Sequence, residues 1–68
     1  MERKRFEHME KWLLMKKALK EKGYSLWQTQ YDWDSPEGYI AGFMKDDKRL
    51  EIVTHNKEIE ADIIHSGL

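Results

Sequence analysis

The sequence predicts a single α+β domain: a long N-terminal helix packed on a three-stranded antiparallel meander and closed by a short C-terminal helix, in the order α-β-β-β-α. Three observations predict it. From Glu2 to Lys22 there is no Gly, Pro or β-branched residue, and Glu, Lys, Arg, Leu, Met and Ala dominate. After Gly23 the composition turns to Trp, Tyr, Thr and Gln, the residues of a pleated sheet. Two short polar stretches, 34–38 and 46–48, then divide the remainder into strand-length pieces. With 68 residues the chain fits one domain, 1–68, whose core is small enough that every large apolar side chain matters.

The helix is expected over Glu2–Lys22. Phe6, Met9, Trp12 or Leu13, Met15 and Leu19 recur at steps of three and four and define its core face. Lys20, Glu21 and Lys22 precede Gly23, which supplies the stop. The first strand, Tyr24 to Trp33, alternates so that Trp27, Thr29, Tyr31 and Trp33 share one face, which is expected to meet the helix. Asp34-Ser35-Pro36-Glu37-Gly38 is turn chemistry. Strands Tyr39–Lys45 and Arg49–Thr54 follow, joined by a hairpin at Asp46-Asp47-Lys48. For the last stretch a helix is favoured, with Asn56 as its cap, Glu58 and Glu60 in its first turn and Gly67 past its end. Its alternation Glu58-Ile59-Glu60-Ala61-Asp62-Ile63 also allows a fourth strand.

Charge is unevenly placed. Residues 1–22 hold eight Lys or Arg and four Glu, a balance of +4, and residues 23–68 hold four basic and nine acidic residues, a balance of −5, which together return the net −1. The basic helix can therefore lie on its own acidic sheet region or attract an anionic partner. No stretch approaches the roughly 20 apolar residues of a membrane span. The run Trp12-Leu13-Leu14-Met15 is too short for a secretory signal, and the chain has no cysteine, so a cytoplasmic location without membrane contact is expected.

Candidate chemistry is sparse. Asp32, Asp34 and Glu37 cluster in one loop but lack the remaining ligands of a calcium loop, and Pro36 interrupts them; they read as a solvated turn. His55 has the pKa range of a general base, yet no nucleophile is near it in sequence, and only folding could bring Ser25, Ser35 or His65 close. Trp27, Tyr31, Trp33, Tyr39 and Phe43 could stack bases, but they are interleaved with Gln, Asp and Glu rather than Lys and Arg, which favours a core role. No catalytic residue, metal ligand or cofactor is therefore assigned.

The order helix, three strands, helix resembles that of the double-stranded-RNA-binding fold and of the small mRNA-cleaving toxins of HicA type, with Val53-Thr54-His55 similar to the toxins' end. Those toxins carry a glycine-serine-histidine turn into the second strand, where this chain reads Pro36-Glu37-Gly38-Tyr39, so the resemblance implies no site and no family membership.

The expected function is a non-enzymatic protein-interaction module, an accessory or regulatory protein of bacterial or phage type that binds another protein through one sheet edge or the outer helix face. Leu14 and Ala18 fall away from the helix core face, bordered by Glu7 and Lys11, and mark the expected protein interface and a homodimer contact. The alternative is an RNA- or DNA-binding module, or an RNA-cleaving one with His55 as its catalytic group, that would use Arg3, Lys4, Arg5, Lys16, Lys17 and Lys20. The sequence pI of about 6.3 counts against that alternative.

Overall fold

The computed structural model describes residues 2–32 and 34–68. Trp33, assigned above to the aromatic face, lies outside the described residues. In chain order the elements are β1 (Glu2–Arg5), α1 (Met9–Lys22), β2 (Ser25–Asp32), β3 (Gly38–Lys45), β4 (Lys48–Thr54) and α2 (Lys57–His65). The architecture is α+β, two helices on one face of a four-stranded mixed sheet of order β1-β4-β3-β2.

The β2–β3–β4 meander is antiparallel as expected. Lys45 pairs with Lys48 across a two-residue turn in which Asp46 takes φ 54, a left-handed conformation that aspartate tolerates. The last element is a helix, so the fourth-strand alternative for it is corrected. Asn56 caps it by accepting a hydrogen bond from the Glu58 N–H at 2.8 Å, and Glu58 and Glu60 occupy the first turn, where the helix dipole favours them.

A fourth strand exists at the other end of the chain. The helix expected over Glu2–Lys22 begins only at Met9, and Glu2–Arg5 runs parallel to β4, with Arg3 opposite Glu51 and Arg5 opposite Val53. The physical reason is electrostatic and tertiary. Arg3, Lys4 and Arg5 would crowd three cations into one helical turn, whereas as a strand Arg3 meets Glu51 at 2.7 Å and Arg5 meets Glu7 at 2.8 Å. Ladder bonding continues past the strand, the Phe6 N–H donating to the Val53 carbonyl at 3.0 Å. Propensity is a weak prior that such partners override.

Since β2 and β4 are both antiparallel to β3 and β1 is parallel to β4, β1 and β2 run in the same direction at opposite edges, and α1 is the crossover between them. Gly23, at φ 84, ends α1. The core lies between sheet and helices: Trp12 and Leu19 of α1, Ile59 and Ile63 of α2, Tyr39, Ala41 and Phe43 of β3, and Leu50 and Ile52 of β4. Phe6, Met9 and Met15 pack against it, so the helical periodicity located the core face although it misplaced the helix start. Trp12 ties the layers together. Its ring meets Phe6 edge-on at 6.3 Å and Phe43 at 6.2 Å, and its Nε1–H donates to Asp62 at 2.6 Å.

Candidate interaction surface

Helices cover one face of the sheet and leave the other open. The expected packing of the β2 aromatics on the helix is corrected by a bulge. Pairing slips between Leu26 and Gln28, so Leu26 turns in beside the core and Trp27 turns out onto the open face. One extra residue in a strand moves a side chain to the opposite side. Trp27 is 43% exposed, lies over Gly42 and carries the Arg49 guanidinium 5.2 Å above its ring. A Cβ at Gly42 would approach the indole nitrogen to 2.9 Å, which accounts for a glycine inside a central strand. Of the five aromatics considered for stacking, Tyr39 and Phe43 are buried, Trp27 and Tyr31 are exposed, and Trp33 is outside the described residues.

The two sheet edges are built differently. β1 has four residues, all charged. Its arginines are held from the open face, Arg3 by Glu37 at 3.1 Å and Glu51 at 2.7 Å, and Arg5 by Glu7 at 2.8 Å and the Pro36 carbonyl at 2.7 Å. β2 has eight residues, and all but Leu26 are exposed. Ser25-Leu26-Trp27-Gln28-Thr29-Gln30-Tyr31 carries no charge, and Asp32 follows only at the strand's end. From Gln28 to Asp32 pairing with β3 is regular, so the outer side of this stretch is a straight run of backbone donors and acceptors.

Thr29 and Tyr31 lie on the helix side, opposite Ala41 and Tyr39, at a corner the helices do not cover. Tyr31 is 50% exposed and meets the Tyr39 ring edge-on at 6.1 Å. Among the described residues, the Tyr39 phenol oxygen and Glu60 Oε2 are both buried without a hydrogen-bond partner. Burial pushes the phenol above its ordinary pKa and the Glu60 carboxylate adds to the rise, together outweighing the opposing influence of the Thr29 hydroxyl. The phenol therefore stays protonated, an O–H donor.

The remaining candidates are distributed elsewhere. Glu7, expected on a helix rim, sits in the connection ahead of α1. Its Oε1 accepts from the Thr54 hydroxyl at 3.0 Å and the His55 N–H at 2.9 Å, and its backbone carbonyl accepts from Asn56 Nδ2 at 2.8 Å. Burial alone would raise this carboxyl, but His55 N–H, Arg5 and Thr54 together outweigh it and hold Glu7 below the usual carboxylate range. His55 Nδ1 lies 3.1 Å from Arg5 Nη1 and 3.5 Å from Glu7 Oε2, and its ring covers Gly38, whose φ of 77 and lack of a Cβ make room for it. Ser35 is engaged in the turn with the Asp32 carbonyl and the Gly38 N–H, and Ser25, opposite Met44, is at the other end of the sheet. The loop acids diverge, Asp32 accepting from the Asp34 N–H at 3.2 Å while Glu37 turns to Arg3.

On α1, Leu14 is 72% exposed with Lys11 and Lys17 also exposed, whereas Ala18 is half-buried in a groove of about 130 Å³ shared with Lys4, Met15, Leu19, Tyr24 and Leu50. That groove is below the roughly 300 Å³ at which small-molecule sites begin. Lys16 pairs with Asp62 at 2.9 Å, and Lys20 is exposed near the same carboxylate. No helix among the described residues is long and apolar enough to cross a membrane. No family model, curated protein or solved structure matches the chain.

Sequence reasoning allowed a sheet edge as the binding surface but did not identify which strand forms it. The neutral run from Ser25 to Tyr31 was visible as a signal, but its position at a sheet edge depends on β1 taking the other one.

Proposed function

We propose that the protein is a non-enzymatic interaction module that receives an extended segment of a partner protein as a fifth strand along β2. The observation that carries this is the exposed, uncharged outer edge of β2, regular from Gln28 to Asp32. Folded proteins ordinarily blunt such an edge with charge, brevity or a covering element. β1 is blunted by brevity and charge; β2 has a single bulge near its start. A partner strand would satisfy the outward N–H and C=O groups, which supplies affinity, while side chains on either side of it supply selectivity.

The test is selection from a random heptapeptide library, followed by binding of the enriched peptides to a Gln28→Lys, Gln30→Lys double variant. Both positions are exposed, and lysine on an edge opposes strand addition. Binding should be lost in the double variant at an unchanged melting temperature. Binding that persists there counts against the edge.

A second reading, nucleic-acid binding, rests on exposed Lys17 and Lys20 of α1. Arg3, Arg5 and Lys16 already hold carboxylates, which leaves less charge for phosphate. Salt-sensitive retention on heparin that is lost in a Lys17→Glu, Lys20→Glu variant would favour this reading over strand addition.

A further inference from the structure

We infer that two copies of this chain associate through the solvent side of α1, antiparallel about a two-fold axis passing between Leu13 and Leu14, with Glu10 of each copy beside Lys17 of the other. None of these residues belongs to β2, so the contact stands or falls independently of strand addition.

Burial fixes the orientation of α1. Trp12 and Leu19 are fully buried and mark its inner side, whereas Leu14 is 72% and Leu13 43% exposed. At about 100° per residue, Glu10, Leu13, Leu14 and Lys17 fall within one sector of about 100°, centred about 150° from Trp12. Glu10 and Lys17 are exposed as well. Two large apolar side chains held in water between them mark a contact surface. The interface expected around Leu14 and Ala18 is thereby moved round the helix, since Ala18 is half-buried in the groove with Leu19 and Tyr24 and Glu7 precedes α1.

Charge identifies the occupant. Along the helix this side reads Glu10, Leu13, Leu14, Lys17, an acid three residues before the leucine pair and a base three residues after it. The pattern is its own complement when reversed. At about 1.5 Å per residue, Glu10 and Lys17 lie about 5 Å on either side of the midpoint, so in an antiparallel pair each Glu10 meets Lys17 of the other copy at the same height, Leu13 meets Leu14, and every contact occurs twice. A parallel pair in register would set Glu10 against Glu10 and Lys17 against Lys17. A polyanion would meet Glu10, and a polycation Lys17, as like charges. Among the described residues no ion pair engages Glu10 or Lys17, whereas Lys16 is held by Asp62. Lys11 lies outside the sector, and Lys20 and Glu21 reach past Met9, the start of the opposing α1, beyond the paired stretch.

The experiment is sedimentation of the intact protein from low to high micromolar concentration, alongside Glu10→Lys, Lys17→Glu and the double variant that exchanges the two charges. The parent should show a monomer–dimer equilibrium. Each single variant sets two like-charged pairs in the contact and should dimerise about tenfold more weakly, and the exchanged variant, again its own complement, should return to within about threefold of the parent. An equimolar mixture of the two single variants should associate more tightly than either alone, because each supplies the charge the other lacks. A parent that stays monomeric throughout overturns the inference, as does dimerisation indifferent to these reversals. Dimerisation that is lost only in Gln28→Lys, Gln30→Lys places the second copy on β2 and overturns it too. Should Glu10→Lys fail to fold, Lys17→Glu against the parent decides, with Leu14→Glu as the second variant.

Discussion

The two edges of the sheet run parallel at opposite sides of the molecule, yet one is sealed and the other open. β1 is four charged residues whose arginines reach back over the open face to Glu7, Glu37 and Glu51. β2 is eight residues, seven of them exposed, with no charge before Asp32. Identical backbone chemistry thus meets two fates, and the side chains decide which edge can pair with another chain. β1 is fastened by contacts that hold the fold, and β2 spends little on the fold beyond its pairing with β3.

The largest effect should come from the layer common to both edges. Trp12→Ala removes a fully buried ring that meets Phe6 and Phe43 and strips Asp62 of a donor. The expected loss is about 3–5 kcal/mol, measured by chemical denaturation, and β1 and β2 should melt together. Next is Glu7→Gln, which weakens the fastening of β1. The expected cost is about 1–3 kcal/mol, with amide exchange accelerating at β1 and Thr54 and unaltered in β2.

The same carboxylate gives a pH dependence. Glu7 and Asp62 both titrate below their ordinary range in the folded chain, burial being outweighed in Glu7 by His55 N–H, Arg5 and Thr54, and in Asp62 by Lys16 and the Trp12 Nε1–H. A depressed folded pKa stabilises at pH above the unfolded value, about 4, and that contribution is lost as pH falls through the folded value. The parent should therefore lose stability below about pH 4, and the gap between parent and Glu7→Gln should narrow in the same window.

The smallest effects belong to exposed positions. Gln28→Lys with Gln30→Lys should change stability by about 0.5 kcal/mol or less while abolishing strand addition. Leu14→Glu, at a position 72% exposed, should be equally silent by thermal melting. Sedimentation of the parent and this variant then tests the helix-face dimer expected from Leu14 and Ala18. A concentration-dependent dimer in the parent that is lost in Leu14→Glu would place an interface on α1.

Local signals in the sequence were read correctly where local physics decides. Asn56 with Glu58 located the start of α2, Gly23 the end of α1, and Asp46-Asp47 the β3–β4 hairpin. β1 escaped because its residues form helices well in isolation and become a strand only through partners such as Glu51 and Val53, 48 residues away. The face of Trp27 escaped because a bulge leaves no mark in alternation and reverses everything before it. At the candidate surface, the neutrality of Ser25 to Tyr31 was legible. That this run is an edge is a property of pairing across the chain.

Amide hydrogen exchange at the two edges, with and without a selected peptide, tests the contrast most directly. Amides of Thr29 to Tyr31 on the outer side of β2 should exchange rapidly in the free protein and slow markedly in the complex, while Arg3 to Arg5 in β1 stay unchanged. Slowing at β1 or along α1, with β2 unaffected, would contradict the account.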